Sequence, residues 1–133
     1  MAKYQGKILI VDDDPGVLQT AKFILKQSFL EVHTEKDPRK IPFLLNQGEY
    51  DVVLLDMNYQ PGETSGKVGL DWLKKIREID DRISPVIITA YGEIGLAVEA
   101  MKIGAVDFIV KPWENEKFVA TITSAWKLSQ SRQ

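Results

Sequence analysis

Short apolar runs alternate with stretches of helical periodicity along the whole chain. Ile8-Leu9-Ile10-Val11, Val52-Val53-Leu54-Leu55, Val86-Ile87-Ile88 and Phe108-Ile109-Val110 are continuous rather than alternating, the pattern of strands buried on both faces of a parallel sheet. They predict strands at Lys7–Val11, Val52–Leu55, Val86–Thr89 and Asp107–Val110. A weaker, largely polar run, Glu31–Glu35, reads as an edge strand. Between them the apolar spacing lengthens to that of helices, predicted at Pro15–Gln27, Pro38–Asn46, Gly69–Ile79, Ile94–Ile103 and Glu114–Ser129. Asp14 stands where a helix cap belongs and Pro15 where a first helical residue belongs. Gly48 is a natural stop for the second helix, whose start Pro42 leaves open. Residues 57–68, with Pro61, Gly62 and Gly66, read as loop. Five βα units imply an α/β fold with a parallel sheet, helices on both faces and right-handed crossovers.

The fourth helix is apolar on two sides. Ile94, Ala97, Val98 and Met101 share one face, expected to cover the sheet, while Leu96, Ala100 and Ile103 fall roughly opposite. A helix apolar on both sides predicts a partner on the outer one.

A chain of 133 residues suits one domain with one core. Residues 1–128 are expected to form it, with polar 129–133 a tail or the start of a linker to an absent output domain. The net charge of −2 gives no electrostatic reason for direct nucleic-acid binding. With no cysteine and only His33, disulfides and thiolate or histidine metal sites are excluded. No apolar stretch approaches the roughly 20 residues that span a bilayer, and no signal-peptide pattern opens the chain. A cytoplasmic location is expected.

Chemistry gathers where the strands end. Asp12-Asp13-Asp14 follow the first strand, Asp56 closes the third, Thr89 the fourth and Lys111-Pro112 the fifth. In an open α/β sheet ligands bind at that carboxyl edge. Crowded carboxylates repel, so the fold must protonate them or hold a cation. Asp14 is accounted for as the helix cap. Asp12 and Asp13 suit a hard divalent ion, for which Mg²⁺ with one or two carboxylates and waters is the simple choice. Asp56 would lie on the adjacent central strand, where a carboxylate beside a metal can attack a phosphoryl group. Lys111 offers a compact charge for phosphate and Thr89 a hydroxyl donor. Each residue taken singly has an ordinary structural explanation; four compatible groups at four parallel strand ends read as one site.

These residues carry a resemblance. Ile8-Leu9-Ile10-Val11-Asp12-Asp13-Asp14-Pro15, Asp56, Thr89-Ala90 and Gly104-Ala105 through Lys111-Pro112 resemble the receiver domain of two-component response regulators over essentially the whole chain. The resemblance implies a flavodoxin-like doubly wound sheet of strand order 2-1-3-4-5. It implies that Asp56 takes a phosphoryl group from a sensor histidine kinase, that Asp12, Asp13 and Asp56 with the Asn58 backbone carbonyl hold Mg²⁺, and that Thr89 and Lys111 contact the phosphate. It also implies a cis bond before Pro112, and a protein that catalyses only its own phosphorylation and dephosphorylation. Thr89-Ala90-Tyr91-Gly92, Ala97 through Ala105, Asp107-Phe108 and Lys111-Pro112-Trp113 further resemble receivers of enhancer-binding transcription activators. Those signal through helix four, strand five and helix five, by phosphorylation-dependent self-association or docking of an output domain.

Two departures stand out. Gln60 takes the place four residues after Asp56 where receivers usually have Pro, and residues through Lys67 lengthen the loop. Phe108 stands where a switch tyrosine is common, and reads equally as a core ring or a moving switch. Two other readings remain at this level. A haloacid-dehalogenase-type phosphatase would use Asp12 and Asp14 and leave Asp56 without a role. A flavodoxin-type cofactor binder would need a phosphate loop that does not follow the first strand.

Overall fold

The structure, a computed structural model, describes residues 2–57 and 67–132. Five parallel strands, β1 (Tyr4–Val11), β2 (Phe29–Glu35), β3 (Val52–Asp56), β4 (Ser84–Ala90) and β5 (Asp107–Lys111), form one sheet of order β2-β1-β3-β4-β5. This is the predicted architecture, with β2 at the edge. The helices are α1 (Pro15–Leu25), α2 (Ile41–Gln47), α3 (Lys67–Ile79), α4 (Ile94–Ile103) and α5 (Asn115–Ser131), and a single 3₁₀ turn, Pro38–Lys40, precedes α2.

Alternate residues of each strand feed opposite faces, and the apolar side chains divide accordingly. Ile8, Ile10, Val52, Leu54, Val86 and Ile88 pack with Leu25, Phe118 and Ile122 beneath α1 and α5. Leu9, Val11, Val53, Leu55 and Ile87 pack with Ile41, Leu73, Ile76 and Ala97 beneath α2, α3 and α4. Two packed faces explain why β3 is buried at every residue and why its sequence shows no alternation.

Several boundaries differ from the sequence reading for local reasons. β2 begins at Phe29, fully buried, with its ring 5.5 Å from Tyr4 and 6.2 Å from Trp126. β4 begins at Ser84, before Pro85; proline is tolerated near a strand start because few ladder donors are needed there. Pro42 falls in the first turn of α2, where its missing N–H costs nothing. α5 continues to Ser131, and Ser129 is buried, its hydroxyl donating to the Trp126 carbonyl at 2.6 Å. Residues 129–131 are therefore helical.

The orientation of α4 corrects the sequence reading. Ala97 and Ala100 are buried and Leu96 and Ile103 pack partly against the core, whereas Ile94, Val98 and Met101 are 71%, 50% and 42% exposed. The sequence reading laid Ile94, Ala97, Val98 and Met101 on the sheet and turned Leu96, Ala100 and Ile103 outward; of the first set only Ala97 lies inside. Small alanines let its axis approach closely, and the bulky residues expected inside are left facing out.

Candidate functional site

The carboxyl ends of β1, β3, β4 and β5 meet at one edge, and the sheet register sets their heights. Val11 pairs with Leu55, Asp56 with Ile88, Thr89 with Val110 and Ala90 with Lys111. Asp12 directly follows β1 and is fully buried; its N–H donates to the Glu35 carbonyl at 3.2 Å. The Asp14 N–H donates to Asp12 Oδ1 at 2.9 Å, closing the turn. Asp14 accepts from the Gly16 N–H at 2.9 Å and caps α1, as its position before Pro15 predicts. One carboxylate of the three is thus spent on the helix, leaving Asp12 and Asp13 to the edge.

Asp12, Asp13 and Asp56 present carboxylate oxygens that all lie within 4.8 Å of one another. Asp12 and Asp56 are buried, and Asp13 is exposed. Lys111 reaches across the edge from β5, its Nζ 2.9 Å from Asp12 Oδ2 and 3.3 Å from Asp56 Oδ1. The shorter contact is a charge pairing rather than an aligned hydrogen bond, so Asp12 Oδ2 stays unsatisfied by hydrogen bonding. Thr89, almost wholly buried, stands one residue beyond the level of Asp56 on the neighbouring strand.

Burial first, and then the negative charge of Asp12, push the Asp56 carboxyl up to about 7, against the opposing pull of Lys111. Asp13 is also raised, by burial and by Asp12. Burial works to lower Lys111, but its close pairing with Asp12 and the charge of Asp56 prevail and raise it. One ammonium, paired with two of the three carboxylates, leaves negative charge uncompensated. A hard cation fits this donor set: three clustered carboxylates, one carrying an unsatisfied buried oxygen. Asp12, Asp13 and Asp56 would hold such an ion, and Mg²⁺ commonly takes one or two carboxylates and keeps several waters. Asn58, whose carbonyl the resemblance adds to this set, lies outside the described residues, as does the lengthened loop from 58 to 66.

Neighbouring residues complete the edge. The Lys111-Pro112 bond is cis, as the resemblance implies. Trp113 then stacks on Phe118 with ring centroids 4.5 Å apart and planes at 11°, tying the β5–α5 turn to the α5 side of the core. Phe108 is half-buried against the opposite core. Sequence reasoning assigned Lys111 to phosphate alone; its pairing with Asp12 needed coordinates, since nothing in either segment announces the other. It also passed over Met57 and Gly69. Met57, fully buried, follows Asp56 directly, and its N–H donates to the Ile88 carbonyl at 3.2 Å. The one sequence signal for Gly69 was a glycine inside a helical pattern.

No helix among the described residues is long and apolar enough to cross a membrane. Comparison with known proteins gives the same picture of the fold. The N-terminal signal receiver domain of a two-component system response regulator from Bacteroides fragilis is 41% identical, with a TM-score of 0.82 over 92% of this chain and 98% of that one. NtrX from Brucella abortus superposes with a TM-score of 0.86 at 27% identity, over 97% of this chain and 29% of its own. The alginate biosynthesis transcriptional regulatory protein AlgB of Pseudomonas aeruginosa is 36% identical over 108 residues, 81% of this chain and 23% of AlgB. The chain spans 23% to 58% of the length of the curated relatives it matches first. The response regulator receiver domain model matches residues 8–123, and the chain belongs to that family.

Proposed function

We propose that this receiver domain accepts a phosphoryl group on Asp56 from the phosphohistidine of a sensor histidine kinase, with Mg²⁺ held by Asp12, Asp13 and Asp56. The observation that carries the reading is the placement of Asp56: a buried carboxylate at a strand end, inside an acidic cluster and 3.3 Å from the Lys111 ammonium. The Asn58 carbonyl belongs to the same proposed ligand set. When bound, the cation offsets the carboxylate charge and neutralises developing charge on the phosphoryl oxygens.

The chain's own residues do the rest. A carboxylate oxygen of Asp56 attacks phosphorus as the P–N bond to the donor imidazole breaks, and the ring nitrogen keeps the electron pair. With a cation and Lys111 offsetting the charge of Asp12, Asp56 would be ionised and need no general base. Lys111 shifts from its carboxylate partners toward the phosphoryl oxygens, and Thr89 donates its hydroxyl to one of them. Both act as fixed charge or dipole aimed at the transferred group, the larger share of phosphoryl-transfer catalysis.

Phosphorylation biases a two-state equilibrium of the face formed by α4, β5 and α5 through Thr89 and Phe108. Ile94, Val98 and Met101 give that face an exposed apolar stripe, with Tyr91 beside it. The receiver thereby governs self-association or an output domain, and transcription is the output, a reading supported by relatives described as transcriptional regulatory proteins. The test is intact mass after incubation with a small phosphodonor and Mg²⁺. Wild type should gain one phosphoryl group and Asp56→Asn none. A variant that gains a hydroxylamine-sensitive phosphate at the native rate would overturn the assignment.

A further inference from the structure

Helix α3 begins against the strand end that carries Asp56, and one residue makes that approach feasible. A Cβ on Gly69 would sit 2.7 Å from Met57 Cα, 2.8 Å from the Met57 carbonyl oxygen and 3.0 Å from Met57 Sδ. The two nearest atoms are backbone, so no side-chain rotation relieves the overlap. Gly69 is buried in the first turn of α3. Met57 is fully buried and anchored on its other side, where its N–H donates to the Ile88 carbonyl of β4. The peptide following Asp56 is therefore gripped between β4 and α3. Any side chain at position 69 must push it, or the helix, by several tenths of an ångström.

We propose that Gly69 is a positioning residue for phosphoryl transfer to Asp56: its bare Cα lets α3 seat on the Met57 backbone and so fixes the direction of the Asp56 carboxylate. The proposal rests on the functional reading above. The physical argument is one of tolerance. Asp56 is joined to the displaced residue by a single peptide unit, and its oxygen must lie in line with the breaking P–N bond. Misplacement on the order of 1 Å can cost about 100-fold in rate, and relief of a 2.7 Å contact requires a good part of that.

Two other glycines supply controls on the same molecule. Gly95, in α4, has nothing within 4 Å of a built Cβ, so Gly95→Ala adds helix propensity without a clash. Gly104, at the end of α4, has φ +136°, and its Cβ would meet Arg77 Nε at 2.7 Å, so Gly104→Ala brings strain away from the Asp56 strand end. Phosphorylation by a small phosphodonor with Mg²⁺ is followed as a function of donor concentration, at a temperature where each variant is fully folded by circular dichroism. In Gly69→Ala the maximal rate should fall about 10- to 100-fold, while the half-saturating donor concentration changes less than about threefold. Gly95→Ala and Gly104→Ala should keep the wild-type maximal rate. If Gly69→Ala alone does not fold, the same assay on Gly69→Ala/Gly95→Ala uses the added helix propensity to restore it.

A folded Gly69 variant with the wild-type maximal rate overturns the proposal, as does an equal loss in Gly104→Ala, which would make the effect one of general strain. Failure of the double variant to fold assigns Gly69 to the fold alone and also overturns it. If wild type takes no phosphate, or takes it equally with Asn at position 56, the functional reading itself has failed and the proposal falls with it.

Discussion

Replacing Asp56 by Asn should stabilise the metal-free protein, by an amount that depends on pH. Asp56 has its carboxyl raised from 3.8 to about 7, by burial first and Asp12 second. At ~1.36 kcal/mol per pH unit, ionising it inside the fold costs about 4 kcal/mol more than in the unfolded chain. Because the folded value lies above the unfolded one, the native state holds the proton longer. The associated stability is therefore full below pH 4 and is lost as pH rises through about 7. Asn keeps an oxygen for Lys111 and carries no charge. At pH 4 the two proteins should differ little. At pH 8.5 in chelator, Asp56→Asn should be more stable by about 2–4 kcal/mol, the lower figure allowing for relaxation around the charge. That corresponds to roughly 6 °C or more in melting temperature. Shifts remote from the site and shared by both proteins, such as the lowered Asp37 and Asp80, cancel in the difference. Added Mg²⁺ should then narrow the gap by stabilising wild type through binding. Urea denaturation of both proteins at several pH values, with chelator and with Mg²⁺, measures every term. A stability difference that is flat between pH 4 and 8.5, or a variant less stable at pH 8.5, would refute the reasoning.

Other expectations can be checked in parallel. Asp14→Ala should cost about 0.5–2 kcal/mol in urea denaturation through loss of the α1 cap, yet leave Mg²⁺ affinity near wild type, whereas Asp13→Asn should weaken Mg²⁺ in a titration followed by tryptophan fluorescence. Beryllofluoride, a phosphoryl mimic, should alter sedimentation of the wild type or the amide spectra of α4, and Ile94→Glu with Val98→Glu should abolish any self-association without loss of stability, since both side chains are exposed. Leu96→Glu, by contrast, should destabilise, because Leu96 packs against the core. Phe118→Ala should cost about 3–5 kcal/mol by thermal or urea melting, as the ring is fully buried and stacked by Trp113.

Much of this protein was decided along the chain. Continuous apolar runs can be satisfied only by strands covered on both faces, so the parallel sheet and its helical layers were legible without coordinates. The polar residues that end those runs had to meet at one edge, because parallel strands all point the same way. Asp14 before Pro15 declared its own role, since capping is a local matter of two or three residues. Tertiary structure decided what periodicity leaves degenerate or distance conceals. α4 is apolar nearly all round, so its pattern could not say which side faces the sheet; the short side chains of Ala97 and Ala100 settled that by allowing the closest approach. Lys111 meets Asp12 and Asp56 across 99 and 55 residues of chain, a contact set by sheet register alone. The demand for a bare Cα at Gly69 likewise exists only once α3 lies on the backbone of Met57, because a steric limit belongs to the pair of segments and to neither sequence separately.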